Sequence, residues 1–178
     1  QTGMTLSTAR TLAPRVRVLE RDLQAEQLAM EKLAIRATTW SPKVVISHGQ
    51  VLLLEIGSCL RLHHGLLTLM ESIHESLHGK PHDYLTAVTP TPTSAVLCAR
   101  SGHEICVTDS AQLISSIRNL PTHKLQLTDR QQALLRQLGI ERIGELLRLP
   151  RNGIARRLGL ELLKNLDRLL GRRVDPQL

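Results

Sequence analysis

At 178 residues and 19.8 kDa the chain suffices for one compact domain, or a domain with a small second one, and folding at this length buries roughly 70% of the unfolded chain's surface. Phe is absent and Trp40 and Tyr84 are the only aromatics, so the core must be aliphatic and a row of aromatic platforms for stacked bases is excluded. Of the net +7, five charges lie in residues 129–178, where eleven Lys and Arg face six Asp and Glu. Such a field draws a polyanion, nucleic acid or an anionic membrane face, although mixed-sign charge also covers ordinary helices.

Taken in chain order, "GMTLSTARTLAP" predicts a short helix ending before Pro14, and "DLQAEQLAMEKLAIRATTW" a longer one with Met30, Leu33, Ala34 and Ala37 on one side, stopped at Ser41-Pro42. "KVVIS" and "QVLLLEI" read as strands joined at His48-Gly49, the second apolar on both faces as a covered strand would be. A helix over residues 64–77 carries Leu66, Leu69, Met70 and Ile73 at helical spacing. A strand near "YLTAV", a Thr-Pro loop, a helix through "SAVLCAR", a short run "EICVT" and a helix in "SAQLISSIRNL" follow. This alternation predicts an α+β unit, one mixed sheet with packed helices, bounded near Leu120-Pro121. Beyond it, "LTDRQQALLRQLGIERIGELLRLPRNGIARRLGLELLKNLDRLLGRR" is helical throughout, punctuated at Gly139, Pro150, Gly159 and Gly171, with Thr128 or Asp129 as first cap.

The helical end holds the strongest binding signal. "LGIERIGELLRLP" and "RRLGLELLKNL" each set a Gly between short amphipathic helices, as in a helix-hairpin-helix. There the turn brings backbone amides, here those of Gly139, Ile140 and Gly144, to a phosphate at a helix N-terminus. Arg142, Arg151, Arg156, Arg157 and Lys164 add point charges for phosphate oxygens. The same glycines also serve simply as helix C-caps. Cys59 and His63, and His74 and His78, are each four apart, a spacing that can aim two side chains at a metal, but without H-E-x-x-H or paired Cys motifs they read better as surface histidines. Cys59, Cys98 and Cys106 form neither a disulfide framework nor a zinc ribbon, which fits a reducing interior. Ser58 in "IGSC" is no nucleophile elbow, and no Gly-rich loop with a following Lys occurs. No apolar run approaches the roughly 20 residues of a membrane span and no signal peptide opens the chain, which begins Gln1-Thr2-Gly3 as an excised segment would.

In order and spacing, "GMTLSTARTLAP", a helix ending at "WSPKV", a strand pair closing in "LLLEIGS" and then "LGIERIGELLRLP…RRLG" resemble the Y-family translesion DNA polymerases over nearly the whole chain. The resemblance implies the end of the fingers at residues 1–14, a palm-like domain over 1–120 and a small helical thumb over 121–178. In an active member the hairpin strand reads Ser-Ile-Asp-Glu-Ala-Tyr-Leu-Asp, and its Asp-Glu pair helps bind two metal ions. Aligned without gaps from the shared Gly-Met, that pair falls on Gln50 and Val51, and Glu55 takes the place of the last, non-catalytic Asp. The lysines that grip nucleotide phosphates in active relatives are also missing, since no Lys or Arg lies between Lys80 and Arg100. The thumb's Gly-x-Gly falls on Gln126-Leu127-Thr128.

These losses resemble the polymerase-like mutagenesis subunits of bacteria, which keep the family's shape without its active site. That likeness implies a cytoplasmic adaptor of SOS-induced translesion synthesis with neither catalytic residues nor metal nor other cofactor. Implied partners are DNA, a sliding clamp, a RecA-like protein and an error-prone replicative-type polymerase, the protein contacts lying mostly outside this segment. Two other readings remain open at this point: an active polymerase whose carboxylates all precede Gln1, and a simple DNA-binding module whose palm is packing only.

Overall fold

The structure, a computed structural model, describes residues 4–47, 51–79 and 83–176. Helix α1 (Leu6–Leu12) starts where the Thr5 hydroxyl accepts the Thr8 amide. It buries no residue, and residues 13–22 run on, exposed, to Asp22, whose carboxylate caps α2 (Leu23–Ala37) through the Ala25 amide at 2.9 Å. The predicted face of α2 turns inward: Met30, Leu33 and Ala34 are half-buried and Ala37 is buried. Ser41 ends this segment, its hydroxyl donating to the Glu55 carbonyl at 2.6 Å and so tying the end of α2 to the strand pair.

Strands β1 (Val44–Ser47) and β2 (Val51–Leu54) pair antiparallel, Val44 opposite Leu54 and Ser47 opposite Val51. The His48-Gly49 turn lies outside the described residues. All four residues of β2 are half-buried, in keeping with a strand apolar on both faces. After a 3-10 turn (Gly57–Cys59), α3 (Leu66–Leu77) buries Leu69 and half-buries Leu66, Met70 and Ile73.

Then β3 (Ala87–Val88), α4 (Pro92–Arg100) and β4 (Ile105–Cys106) form a parallel crossover unit, followed by α5 (Ser110–Ile117). The mixed sheet expected from the sequence is present as two pieces, an antiparallel pair and a parallel pair, rather than one hydrogen-bonded ladder among the described residues. The second pair is short for a local reason. Pro90 offers no N–H and Pro92 already starts α4, while Asp109 caps α5 three residues after β4. Helix α4 packs on both β2 and β3, so one helix supports both pieces.

The helical end divides where its punctuation predicted, into α6 (Asp129–Gln137), α7 (Ile143–Arg148), α8 (Arg151–Arg157) and α9 (Leu160–Leu169). Thr128 caps α6 in a reciprocal box with Gln131. Buried side chains fall into two clusters. The smaller joins Ala37, Trp40 and Leu69 with half-buried residues of β1, β2 and α3. The larger gathers Leu97 and Cys98 of α4, Leu113 and Ile117 of α5, and the inner faces of α6–α9, so packing is continuous across Leu120-Pro121. The accessible surface is 12547 Å², against about 8,600 Å² for a compact chain of this mass. The roughly 70% burial expected from length is therefore not reached, because α1 and residues 13–28 pack almost nothing.

Two glycines in the helical end have opposite surroundings. A β-carbon on Gly144 would lie 3.0 Å from the Arg118 carbonyl oxygen, whereas one on Gly153 would meet nothing within 4 Å. Gly153→Ala is expected to raise stability by about 0.4–1 kcal/mol, and Gly144→Ala to lower it by about 1–3 kcal/mol, in thermal or denaturant unfolding.

Candidate nucleic-acid interface

The β1–β2 pair presents no acidic side chain in its described residues. Val51 opens β2 half-buried, and Gln50 lies outside the described residues. Glu55, just beyond β2, accepts the Ser58 hydroxyl at 2.5 Å and the Ser58 amide at 3.2 Å, closing the 3-10 turn. Those bonds, chiefly from the Ser58 side chain, hold its carboxyl below the usual range.

The cysteine and histidine pairs do not converge on a metal position. Cys59 is buried in the 3-10 turn, while His63 Nε2 lies 3.1 Å from the Trp40 carbonyl and so donates to it. His74 stacks obliquely with Tyr84, ring centroids 5.8 Å apart, and His78 is the C-cap of α3. No group of three or more metal-type ligands occurs among the described residues. Cys98, packed inside α4, has its thiol pushed up to about 11 by burial.

At the α6–α7 hairpin the glycine caps the C-terminal end of α6. Gly139 adopts φ +66°, its amide bonding the Arg136 carbonyl while Ile140 bonds that of Leu135, the paired bonds of a Schellman C-cap. The following amides are used as well. Glu141 and Arg142 both donate to Glu145 Oε2, at 2.9 and 3.0 Å, Ile143 donates to the Leu120 carbonyl and Gly144 to that of Arg118 at 2.8 Å. Every amide from 139 to 144 thus has a partner within the chain: those of Gly139, Ile140, Ile143 and Gly144 bond backbone carbonyls, and those of Glu141 and Arg142 the Glu145 carboxylate. The hairpin packs α7 against α5 and leaves the Arg142 side chain exposed. The Gly-x-Gly position is likewise spent on folding, since Leu127 bonds the Leu125 carbonyl and Thr128 caps α6.

The α8–α9 turn is arranged differently. Arg151 is held in a bidentate pair with Asp167, at 2.7 and 2.8 Å, which ties the start of α8 to α9. Lys164 pairs with Glu161 one turn away. Arg156 and Arg157 stand exposed in the last turn of α8, and Gly159, with φ +96°, opens α9 without a side-chain cap. Two cationic side chains and an uncapped helix start therefore meet at one turn, where the macrodipole favours an anion. Gln131 braces the turn from α6 by donating to the Leu158 carbonyl at 2.6 Å.

Sequence reasoning named the cations and the hairpin amides but missed the acids that engage some of them, Asp167 on Arg151 and Glu145 on the Glu141 and Arg142 amides. Glu145 carried a faint signal, a Glu three residues past a helix start. Asp167 carried none, because its partner is sixteen residues away.

No protein-family profile matches the chain. Protein ImuB from two strains of Caulobacter vibrioides is 29% identical over 169 residues, 95% of this chain. The chain spans 37% of the length of those relatives. Among solved structures, DinB from Sulfolobus solfataricus matches with TM-score 0.73, a Y-family DNA polymerase chimera with 0.75, and an insertion ternary complex of Dbh DNA polymerase with 0.74. Each is 14% identical, over 99% of this chain and 53% of the other. The α+β fold is that of part of a Y-family DNA polymerase.

Glu145 sets a pH test. Its carboxyl is lowered by the Arg142 and Glu141 amides, and a lowered folded value adds stability that is present above the ordinary carboxylate range and lost as pH falls through the folded value. The stability advantage of the native chain over Glu145→Gln should therefore be present at pH 7 and vanish on acidification, read from unfolding midpoints at several pH values.

Proposed function

We propose that the chain belongs to a non-catalytic, Y-family polymerase-like adaptor of SOS-induced translesion DNA synthesis. Residues 1–120 act as a palm-like support and residues 121–178 as a thumb-like unit that touches the DNA backbone. The observation that carries the reading is the chemistry of the β1–β2 pair. Nucleotidyl transfer through two divalent ions needs clustered anionic oxygens. Here the described strand residues are apolar apart from Ser47, and Glu55, just beyond β2, is engaged by Ser58. The similarity to ImuB over 95% of the chain supports an adaptor in preference to a working polymerase.

Backbone contact is assigned to Arg156 and Arg157 at the α8–α9 turn, with Arg142 as an outlying cation. Contacts of this type hold a duplex in register without reading its sequence. The amides of Gly139, Ile140 and Gly144 take no part while their internal bonds persist, and Arg151 and Lys164 act mainly within the fold. Sliding clamp, RecA-like partner and error-prone polymerase are proposed to engage the longer protein outside this segment, in the cytoplasm. No described helix is long and apolar enough to cross a membrane.

The longer protein, given primer-template, Mg²⁺ and nucleotides, is expected to incorporate nothing; incorporation abolished by substituting residues of this chain would establish a working polymerase instead. Arg156→Ala with Arg157→Ala is expected to weaken DNA binding and to flatten the slope of log K against log salt by about 0.9 for each phosphate no longer neutralised. Unchanged affinity and slope would assign this face to a protein partner.

A further inference from the structure

We infer that residues 171–176 form a releasable strap, latched by Asp175 to the first turn of α4 and bridging the two parts of the chain. After α9 the backbone turns back on itself, the Gly171 amide bonding the Arg168 carbonyl and those of Arg172 and Arg173 the Asp167 carbonyl. The turn sends the chain across to α4, where Asp175 Oδ2 accepts both the Thr93 amide at 2.9 Å and the Thr93 hydroxyl at 2.7 Å. An anionic acceptor at the positive end of a nine-residue helix makes both bonds charge-assisted. Alongside, the buried Thr91 hydroxyl caps α4 through the Ser94 amide and donates to the Leu169 carbonyl at 3.0 Å, so α4 and the end of α9 are joined with or without the strap.

A cleft of about 210 Å³, lined among others by Thr93, Val96, Leu166, Arg168, Asp175 and Pro176, adjoins the strap where it meets α4. Arg168, which lines this cleft, has its Nε buried without a hydrogen-bond partner among the described residues, although Nη1 bonds Asn165 at 2.8 Å. The largest apolar side chain of the strap, Val174, is 84% exposed. Closure is therefore carried by polar bonds at one residue and not by buried apolar area. Lifting the strap hydrates Arg168 and restores backbone freedom, while the Leu97–Leu166 core stays shut. The device is local: two states of a six-residue segment that bare or cover the first turn of α4.

Amide hydrogen exchange on the intact chain tests this without DNA, so its outcome is separate from the DNA-binding reading. In Asp175→Ala the Thr93 amide should exchange on the order of tenfold or more faster, while the interior amides of α9, residues 164–169, keep their protection. Asp175→Asn, which retains an acceptor but no charge, should fall between Asp175→Ala and the native chain. Unchanged Thr93 exchange in Asp175→Ala would remove the latch. Equal loss of protection throughout α4 and α9 would show that Asp175 supports the whole fold and that no separate strap exists.

Discussion

The contact on which the rest of the structure depends is the aliphatic seam between α4 and α9, where Leu97 and Cys98 meet Leu162, Leu166 and Leu169. With no Phe and a single Trp, the chain cannot fill its interior with a few large rings and must interlock many branched side chains instead. The seam also carries α4 under both strand pairs, so the sheet fragments and the helical end share a foundation although no strand among the described residues connects them. Had the two parts been cored separately, the Arg-bearing α8–α9 turn would have no set position relative to the strands.

On that foundation most of the acidic groups near the candidate surfaces are turned inward in function. Glu55 closes a turn, Glu145 fills the hairpin of α6 and α7, Asp167 grips Arg151 and Asp175 caps α4. Each carboxylate satisfies backbone or guanidinium donors that would otherwise attract an outside anion. The effect is selective: it engages the Glu141 and Arg142 amides and the Arg151 side chain within the fold and leaves Arg142, Arg156 and Arg157 exposed, the last two beside an uncapped helix start. Net charge alone does not distinguish these groups.

The fold survives at 14% identity to the polymerase structures it matches. Packing tolerates aliphatic exchange when volume and pattern are kept, so one fold can be specified by widely different sequences.

The sequence by itself determined the helices and their limits. The periodic apolar faces of α2, α3 and α6–α9, the stop at Ser41-Pro42, the cap at Thr128 and the breaks at Gly139 and Gly159 all act within a turn or two of the residues that cause them. It also marked the apolar character of β2 and the basic end of the chain. Only the tertiary structure decided that the expected sheet would be two short pairs, that the core would run across Leu120-Pro121, and which cations are spoken for. Arg151 finds Asp167 sixteen residues on, and Thr93 finds Asp175 eighty-two residues on. Such pairings depend on where folded elements come to rest, and no local pattern of residue types encodes a distance through space.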